Sequence, residues 1–293
     1  MPQALIFGIN GQDGYYLSQI LTEKGISVTG VSRSAKEWLQ GDVGDRSFVT
    51  ELIKNEKPDY IFHLAANSRI NHELLFEHQS TIVNGTLNIL EAVWQNSPSS
   101  RVFITGSGFQ FLNTGSSINE ETIFSANNVY SLARIQSVYA ARYYRTKGLM
   151  VYVGYLFHHD SPYRSHGHLN KKIFDAAKSA AAGNKISIEI GDIAVEKEFG
   201  YAADIAAGIW HLIQQNEIYE ACLGTGKAYK IERWLDLCFS IVGKDWKEYV
   251  KQKSDYTPDF RRMLSDPSLI NRYGWKAVID IADLAQIMMG STF

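Results

Sequence analysis

The chain of 293 residues is poor in several features that mark whole classes of protein. It has only two cysteines, Cys222 and Cys238, both in apolar surroundings and without metal-ligand or redox spacing. Core thiols are expected there rather than a disulfide or a zinc pair. A formal net charge of −2 with no basic block argues against a general nucleic-acid or membrane-surface binder, so any anionic ligand must be held locally. No apolar run is long enough to span a bilayer, and the N-terminus enters a strand with no basic region or cleavage site ahead of it. A cytoplasmic protein is expected. Proline, glycine and serine never concentrate into a linker, and there is no internal repeat. What is present, 45% hydrophobic and 20% charged residues, is ordinary for a globular protein with one large or two modest cores.

The most informative stretch is Ala4 to Gly14, an apolar strand at 3–7 followed by Gly8, Gly11 and Gly14. The helix expected at 15–24 places Tyr16, Leu17, Ile20 and Leu21 on one face. Three glycines at this spacing also occur in ordinary tight turns. Between a buried strand and a helix they form a phosphate site: the first allows the turn, the second lets backbone approach a pyrophosphate, and the third lets helix and strand pack closely.

Strand-like segments at 26–31, 60–65, 101–105 and 150–157 alternate with helical ones near 47–56, 80–96 and 129–147. This rhythm predicts βαβ units, hence an α/β fold of the Rossmann type, a doubly wound parallel sheet whose ligand sits at the carboxyl ends of the strands. After Phe157 the pattern breaks into a polar, His-rich stretch to about Asn170, then a helix with an alanine run at 174–182 and shorter elements. The expected organisation is a dinucleotide-binding domain over 1–157 with a return segment near 190–215. A smaller, partly interleaved substrate lobe takes up most of 158–293.

Tyr130 and Arg134 stand one helical turn apart at the start of the 129–147 helix, and Ser107 follows the 101–105 strand. A fixed cation beside a phenol stabilises a tyrosinate and can bond a cofactor ribose, a proton-transfer arrangement. A solvated Tyr–Arg pair on a helix surface is the plainer account. At the end of the second strand, where NAD enzymes of this architecture place Asp or Glu against the ribose 2′-hydroxyl, the chain has Ser32-Arg33-Ser34. Arg33 can pair with a 2′-phosphate, so NADP is expected over NAD; the alternative is an exposed loop arginine.

Several motifs together carry a family resemblance. They are Gly8-Ile-Asn-Gly-Gln-Asp-Gly14 with Tyr16-Leu17, Lys57-Pro-Asp-Tyr-Ile-Phe-His-Leu-Ala-Ala66 with Ser68, and Gly85-Thr-Leu-Asn-Ile-Leu-Glu-Ala92. Later ones are Gly154-Tyr-Leu-Phe-His-His-Asp-Ser-Pro162 with Lys171-Lys-Ile173, Phe199-Gly-Tyr-Ala-Ala-Asp204, and Asp266-Pro267 with Tyr273-Gly-Trp-Lys276. The chain resembles the extended short-chain dehydrogenases/reductases, and within them the GDP-mannose 4,6-dehydratases, over almost its whole length. The resemblance implies cofactor contacts at Gly8, Asn10, Gly11, Gln12, Asp13, Gly14, Arg33, Asp42 (against the adenine), Val43, Leu64, Ala65 and Ala66, besides Tyr130 and Arg134. It implies catalytic roles for Ser107, Tyr130 and Arg134, and substrate contacts at Ser68, Ser107, His158, Lys172, Lys197 and Asp259. It also implies a homodimer or a multiple of one, joined through the helices at 80–96 and 129–147; the second offers Ile135, Val138, Tyr139 and Arg142 at helical spacing for the contact, the alternative being that this face simply packs on the sheet.

The departures from the family pattern bear on the reaction. Arg134 replaces a lysine; it stays charged but cannot release a proton into a relay. Phe109 stands two residues after Ser107, where the dehydratases have a glutamate that helps remove the C5 proton and assists loss of the C6 hydroxyl. Phenylalanine is neither acid nor base, so elimination should be impaired while oxidation or reduction at C4 remains open. His158 replaces an asparagine near the diphosphate and Tyr256 an arginine, whereas Lys197 matches a basic phosphate contact and Arg164 is a weaker candidate.

The residues thus point to an NADP-dependent nucleotide-sugar enzyme, foremost a 4-keto-sugar reductase, with a GDP-sugar favoured. A dehydratase or epimerase with a rebuilt site is the first alternative; a dinucleotide-binding sensor or assembly protein without catalysis is the second. The cluster His158, His159, Asp160, His166 and His168 fits no common zinc spacing, and a mobile lid loop is the better reading, so no metal is expected. Trp94, Trp210 and Trp275 are expected to anchor the core.

Overall fold

A computed structural model describes residues 1–34, 37–165 and 167–290. Its first strands and helices are β1 (Gln3–Phe7), α1 (Gln12–Glu23), β2 (Ser27–Ser32), β3 (Leu39–Gln40), α2 (Arg46–Glu56) and β4 (Tyr60–His63). There follow α3 (Leu75–His78), α4 (Gly85–Asn96), β5 (Arg101–Ser107), α5 (Val129–Thr146) and β6 (Met150–Leu156). The later strands are β7 (His159–Asp160), β8 (Ile188–Ile190), β9 (Glu196–Glu198), β10 (Gly200–Tyr201), β11 (Glu220–Leu223), β12 (Ala228–Lys230), β13 (Val250–Gln252) and β14 (Arg262–Met263). The later helices are α6 (Leu169–Ala181), α7 (Ala202–Ile213), α8 (Ile231–Ile241), α9 (Ser268–Arg272) and α10 (Ile281–Gly290).

Seven strands form one parallel sheet in the order β11-β6-β5-β4-β1-β2-β3. Strands buried on both faces need apolar residues at every position, as Ala4-Leu-Ile-Phe7 shows. Leu5 and Phe7 face a cluster with Val49 and Ile53 of α2 and Ile89 and Val93 of α4. Ala4 and Ile6 point the other way, to Leu17 and Leu21 of α1 and Ile205 and Ile209 of α7. The chain turns to opposite sides of β1 at β2 and β4, which opens a crevice beyond the carboxyl ends of those strands.

The helix expected at 80–96 is interrupted. A π-helical segment, Gln79–Asn84, separates α3 from α4. Such a bulge disturbs the regular backbone ladder, and hydroxyls make up part of the loss: Thr86 Oγ1 and Ser137 Oγ both donate to the Ile82 carbonyl, at 2.7 and 3.2 Å. Along α5, Val138 is buried against the sheet rather than on an outer face, and Arg142 is spent on Glu220, at 2.9 and 2.7 Å. Of the expected face Tyr139 is exposed and Ile135 half-buried, and the other exposed apolar residues here are Leu132 and Tyr143, together with Leu87 and Trp94 of α4. Trp94, expected in the core, is 46% exposed, because its position on α4 faces away from the sheet. Trp275 is buried, and Trp210 packs edge-on to Tyr60.

The second layer has its own core, in which Ile173, Phe174 and Ala177 of α6 meet Trp234, Leu235 and Phe239 of α8 and Leu284 and Met288 of α10. Before that layer is complete the chain returns to the sheet through α7 and β11, overlapping the return expected near 190–215 and extending past it. Cys222 and Cys238 are both buried free thiols. No helix of the described residues is long and apolar enough to cross a membrane.

Candidate active site

A cleft of about 570 Å³ opens at the carboxyl ends of β1, β4, β5 and β6. Its floor is the glycine loop. Gly8 has φ +94, and a Cβ there would lie 2.6 Å from the Ala65 nitrogen; at Gly14 it would lie 2.7 Å from the Gly8 oxygen. Gly11, the residue before α1, is extended and no side chain caps the helix, so its first N–H groups stay open to a ligand. That is the cradle a pyrophosphate requires, and the residues present fit a dinucleotide.

Asp13, in the first turn of α1, would oppose such an anion were its charge not already engaged. His159 Nε2 lies 2.9 Å from Asp13 Oδ1, and His159 Nδ1 lies 2.6 Å from the Phe157 carbonyl. Both partners are acceptors, so both nitrogens must donate and His159 is an imidazolium. Burial opposes charge on each group, but their mutual attraction prevails and holds the histidine above its ordinary value and the carboxyl below its own. Gln12 joins the same strap, donating to the His159 carbonyl at 3.3 Å and accepting from Ser161 Oγ at 2.9 Å. The expected mobile lid is therefore corrected for its first part: His159 and Asp160 are buried and form β7, paired with β10. His166 lies outside the described residues. Among those described, no group of three or more His, Cys, Asp or Glu could hold a metal ion.

On the far wall Ser107, Tyr130 and Arg134 all face the cleft, and all three are buried. Ser107 Oγ accepts from the Phe109 N–H at 3.2 Å, which leaves the hydroxyl proton free for a ligand. Asn128 caps α5 by accepting from the Ser131 N–H at 2.8 Å, and so fixes the turn that carries Tyr130. Arg134 donates through Nη1 to the Thr105 carbonyl at 2.6 Å, and its Nε is buried without a partner. The plainer reading of a solvated helix pair fails on burial.

Phe109 packs edge-on to His158 and Phe260, with centroids 5.6 and 5.7 Å away. Burial, with Lys197 and Arg164 nearby, holds His158 well below its ordinary value and so neutral. His158, Leu169 and Lys197 also line a second cavity of about 160 Å³, with Asp192, Tyr256 and Asp259. Burial pushes the Lys197 ammonium down to about 8, partly offset by Asp160.

Gly8, Asn10, Gly11, Gln12, Asp13, Gly14, Leu64, Ala66, Ser68, Ser107, Tyr130, Arg134, His158 and Lys197 thus line the large cleft, and Asp259 the small one. Others of the expected contacts fall elsewhere. Lys172 is exposed on α6 and donates to the Glu189 carbonyl at 2.6 Å, whereas its neighbour Lys171 is buried on Asp175. Ala65 supports Gly8 from behind through its backbone. Val43 is buried in the core, and Asp42 accepts from the Gly44 N–H at 2.8 Å. Arg33 is 61% exposed and lies 3.4 Å from Glu77. Near it, Asn10 Nδ2 donates to Ser32 Oγ and Ser34 Oγ, at 2.7 and 3.1 Å. Arg69 and Asn170 also line the cleft; the first follows Ser68 directly, and the second carries no pattern in the sequence.

A family model for GDP-mannose 4,6 dehydratase matches residues 5–288. A GDP-mannose 4,6 dehydratase of Arabidopsis thaliana is 27% identical over 318 residues, which cover 98% of this chain and 88% of that protein. The fold is similar to that of a UDP-glucose 4-epimerase of Thermotoga maritima solved with UDP-glucose, with TM-score 0.88 and 17% identity over 98% of this chain and 97% of that one. It is also similar to RMD of Pseudomonas aeruginosa complexed with NADPH, with TM-score 0.84 and 21% identity over 99% and 97%. With the motifs, the glycine cradle and the match spanning almost every residue, the chain belongs to the GDP-mannose 4,6 dehydratase family.

Proposed function

We propose that this protein is an NADP-dependent oxidoreductase acting at C4 of a nucleotide-linked sugar, foremost as a 4-keto-sugar reductase. The observation that carries the reading is the composition of one wall: Ser107, Tyr130 and Arg134 face the cleft together, and Phe109 beside them is a phenyl group, at the position where the resemblance implies a carboxyl. The wall has what hydride exchange needs and lacks the acid–base group that elimination needs.

When bound, the nicotinamide supplies or accepts the hydride. Tyr130 delivers a proton to the carbonyl oxygen as it becomes a hydroxyl, and the free proton of Ser107 Oγ holds that oxygen in place. Arg134, anchored on the Thr105 carbonyl, keeps a fixed positive charge beneath the tyrosine ring, with Cζ 5.1 Å from its centroid. Lys197 is the buried cation for the diphosphate. GDP is the first nucleotide to try, since the Arabidopsis relative is named for GDP-mannose. Arg33, with Ser32 and Ser34, supports NADP over NAD, and the free buried thiols suit a cytoplasmic setting. The exposed face made by Leu87, Trp94, Leu132, Tyr139 and Tyr143 supports a homodimer, which sedimentation at micromolar concentration tests.

The deciding experiment offers GDP-, dTDP-, UDP- and CDP-sugars and their 4-keto forms with NADP(H), with mass detection. Reduction of a 4-keto sugar is expected. Rapid loss of water from GDP-mannose would replace this reading with that of a dehydratase, and cofactor binding without any turnover would replace it with that of a sensor.

A further inference from the structure

Tyr130 has a second ring beside it. His78, the last residue of α3, is buried, and its ring meets that of Tyr130 edge-on, with centroids 5.6 Å apart and the planes at 63°. Its Nε2 lies 2.8 Å from the Arg69 carbonyl, which can only accept, so this nitrogen carries a proton. Nδ1, on the other side of the ring, is buried and has no partner among the described residues.

A buried nitrogen without a partner lowers stability, and leucine or phenylalanine would fill the space without that loss. What the imidazole supplies in return is a ring that cannot turn. A bond at Nε2, far out on the side chain, fixes both of its torsions. The chain then enters the π-helical segment Gln79–Asn84, a geometry that recurs at functional sites. Ile82 and Val83 of that segment share one apolar cluster with Tyr130, and Ile70 packs against it. At the other end of the His78 ring, Arg69 lies in the run Ser68-Arg-Ile-Asn71, all of which lines the cleft together with Tyr130. One anchored ring therefore joins the tyrosine to the opposite part of the cleft wall.

Resting on the C4 oxidoreductase reading, we infer that His78 is a positioning residue for the proton transfer: its ring, held on the Arg69 carbonyl, sets the orientation of the Tyr130 phenol relative to the wall at 68–71. His78 is not among the residues that line the cleft, so it touches neither sugar nor cofactor and acts through Tyr130 alone. Misplacing a reacting group by about 1 Å can cost about 10²-fold in rate, which bounds the effect at ~10- to 100-fold in kcat.

The test follows NADPH absorbance with the 4-keto forms of GDP-, dTDP-, UDP- and CDP-sugars and continues with the one that the parent reduces fastest. His78→Gln keeps an N–H for the Arg69 carbonyl and loses the ring edge; His78→Leu keeps the packing and loses both. In each, kcat should fall by ~10- to 100-fold while KM for the sugar and the affinity for NADPH stay within about twofold, which also shows that the variant is folded. His78→Phe restores an aromatic edge and should run several-fold faster than either. Made in Tyr130→Phe, the first two substitutions should change the residual rate by less than about twofold, because the hydroxyl that they misplace is gone. Parent-like kcat in His78→Gln and His78→Leu, or an equal fall in the Tyr130→Phe background, would overturn the inference and leave the oxidoreductase reading standing. Failure of the parent to reduce any of the sugars would remove both.

Discussion

The Arg134 guanidinium lies over the ring of Tyr130, with Cζ 5.1 Å from the ring centroid, while Nη1 is held by the Thr105 carbonyl. The cation therefore acts on the tyrosine through its ring and is tied to the end of β5. Tyr130→Phe keeps the ring contact and loses only the proton, so turnover should fall by about 10²- to 10⁴-fold with cofactor affinity nearly unchanged. Arg134→Lys should be tolerated. Steady-state rates beside fluorescence titration of NADPH check both, and an undiminished rate in Tyr130→Phe would take this residue out of the mechanism.

The Asp13–His159 pair should make stability depend on pH from both sides. Asp13, lowered in the fold, contributes stability at pH above its unfolded value that is lost as pH falls through the folded one. His159, raised in the fold, contributes stability that is complete below about 6.5 and is lost as pH rises through its raised value. His159→Leu leaves Asp13 without its partner and should cost about 3 kcal/mol near pH 6. The difference from the parent should shrink on the alkaline side. Urea unfolding at pH 6 and pH 9 measures it, and an equal difference at both would show that the pair is not ionised as described.

Substrate affinity should weaken on the alkaline side through Lys197. Its ammonium, pushed down to about 8 by burial, is charged below that value and neutral above it. Binding of a nucleoside diphosphate sugar to the cofactor-loaded protein should therefore fall about tenfold between pH 7 and pH 9. Lys197→Met should bind weakly at both. Calorimetry on the two proteins distinguishes this from a general alkaline effect, which would persist in the variant.

NADP⁺ should bind more tightly than NAD⁺, and Arg33→Ala should remove the difference by weakening NADP⁺ alone. The ion pair of Arg33 with Glu77, at 3.4 Å, is long and its arginine largely exposed, so little is lost when a 2′-phosphate replaces the carboxylate. Equal or tighter binding of NAD⁺ by the parent would defeat the assignment.

What could be read from the sequence follows the length of each signal. Five of the seven parallel strands and the helix at 129–147 lie within a few residues of where they are expected, since each spans enough apolar positions to show a period, whereas β3 and β11 are not anticipated. The helix at 80–96 hid its π segment because hydroxyl groups from Thr86 and Ser137, the second far along the chain, supply the missing partner. Strands of two or three residues, β7 among them, are too short for a period, so His159 and Asp160 read as a polar loop when they are a buried strap. Lys171 and Lys172 differ by one step on α6, about 100° of rotation, which sends one inward and the other to solvent. Glycines, Ser107 and Tyr130 were legible because backbone geometry and chemistry restrict their types; Asn170 was not, because only the folded chain brings it to the cleft.

The late arrival of β11 has a consequence for synthesis. As the chain leaves the ribosome, β6 emerges well before the strand that pairs with its outer edge, and the intervening residues belong largely to another layer. Until Glu220–Leu223 docks, the apolar strand Met150–Leu156 presents a row of unpaired N–H and C=O groups. Such an edge recruits neighbouring chains. A nascent chain stalled, or a fragment cut, between α7 and β11 should aggregate rather than fold into a small dinucleotide-binding unit, so the two layers must be made and completed together.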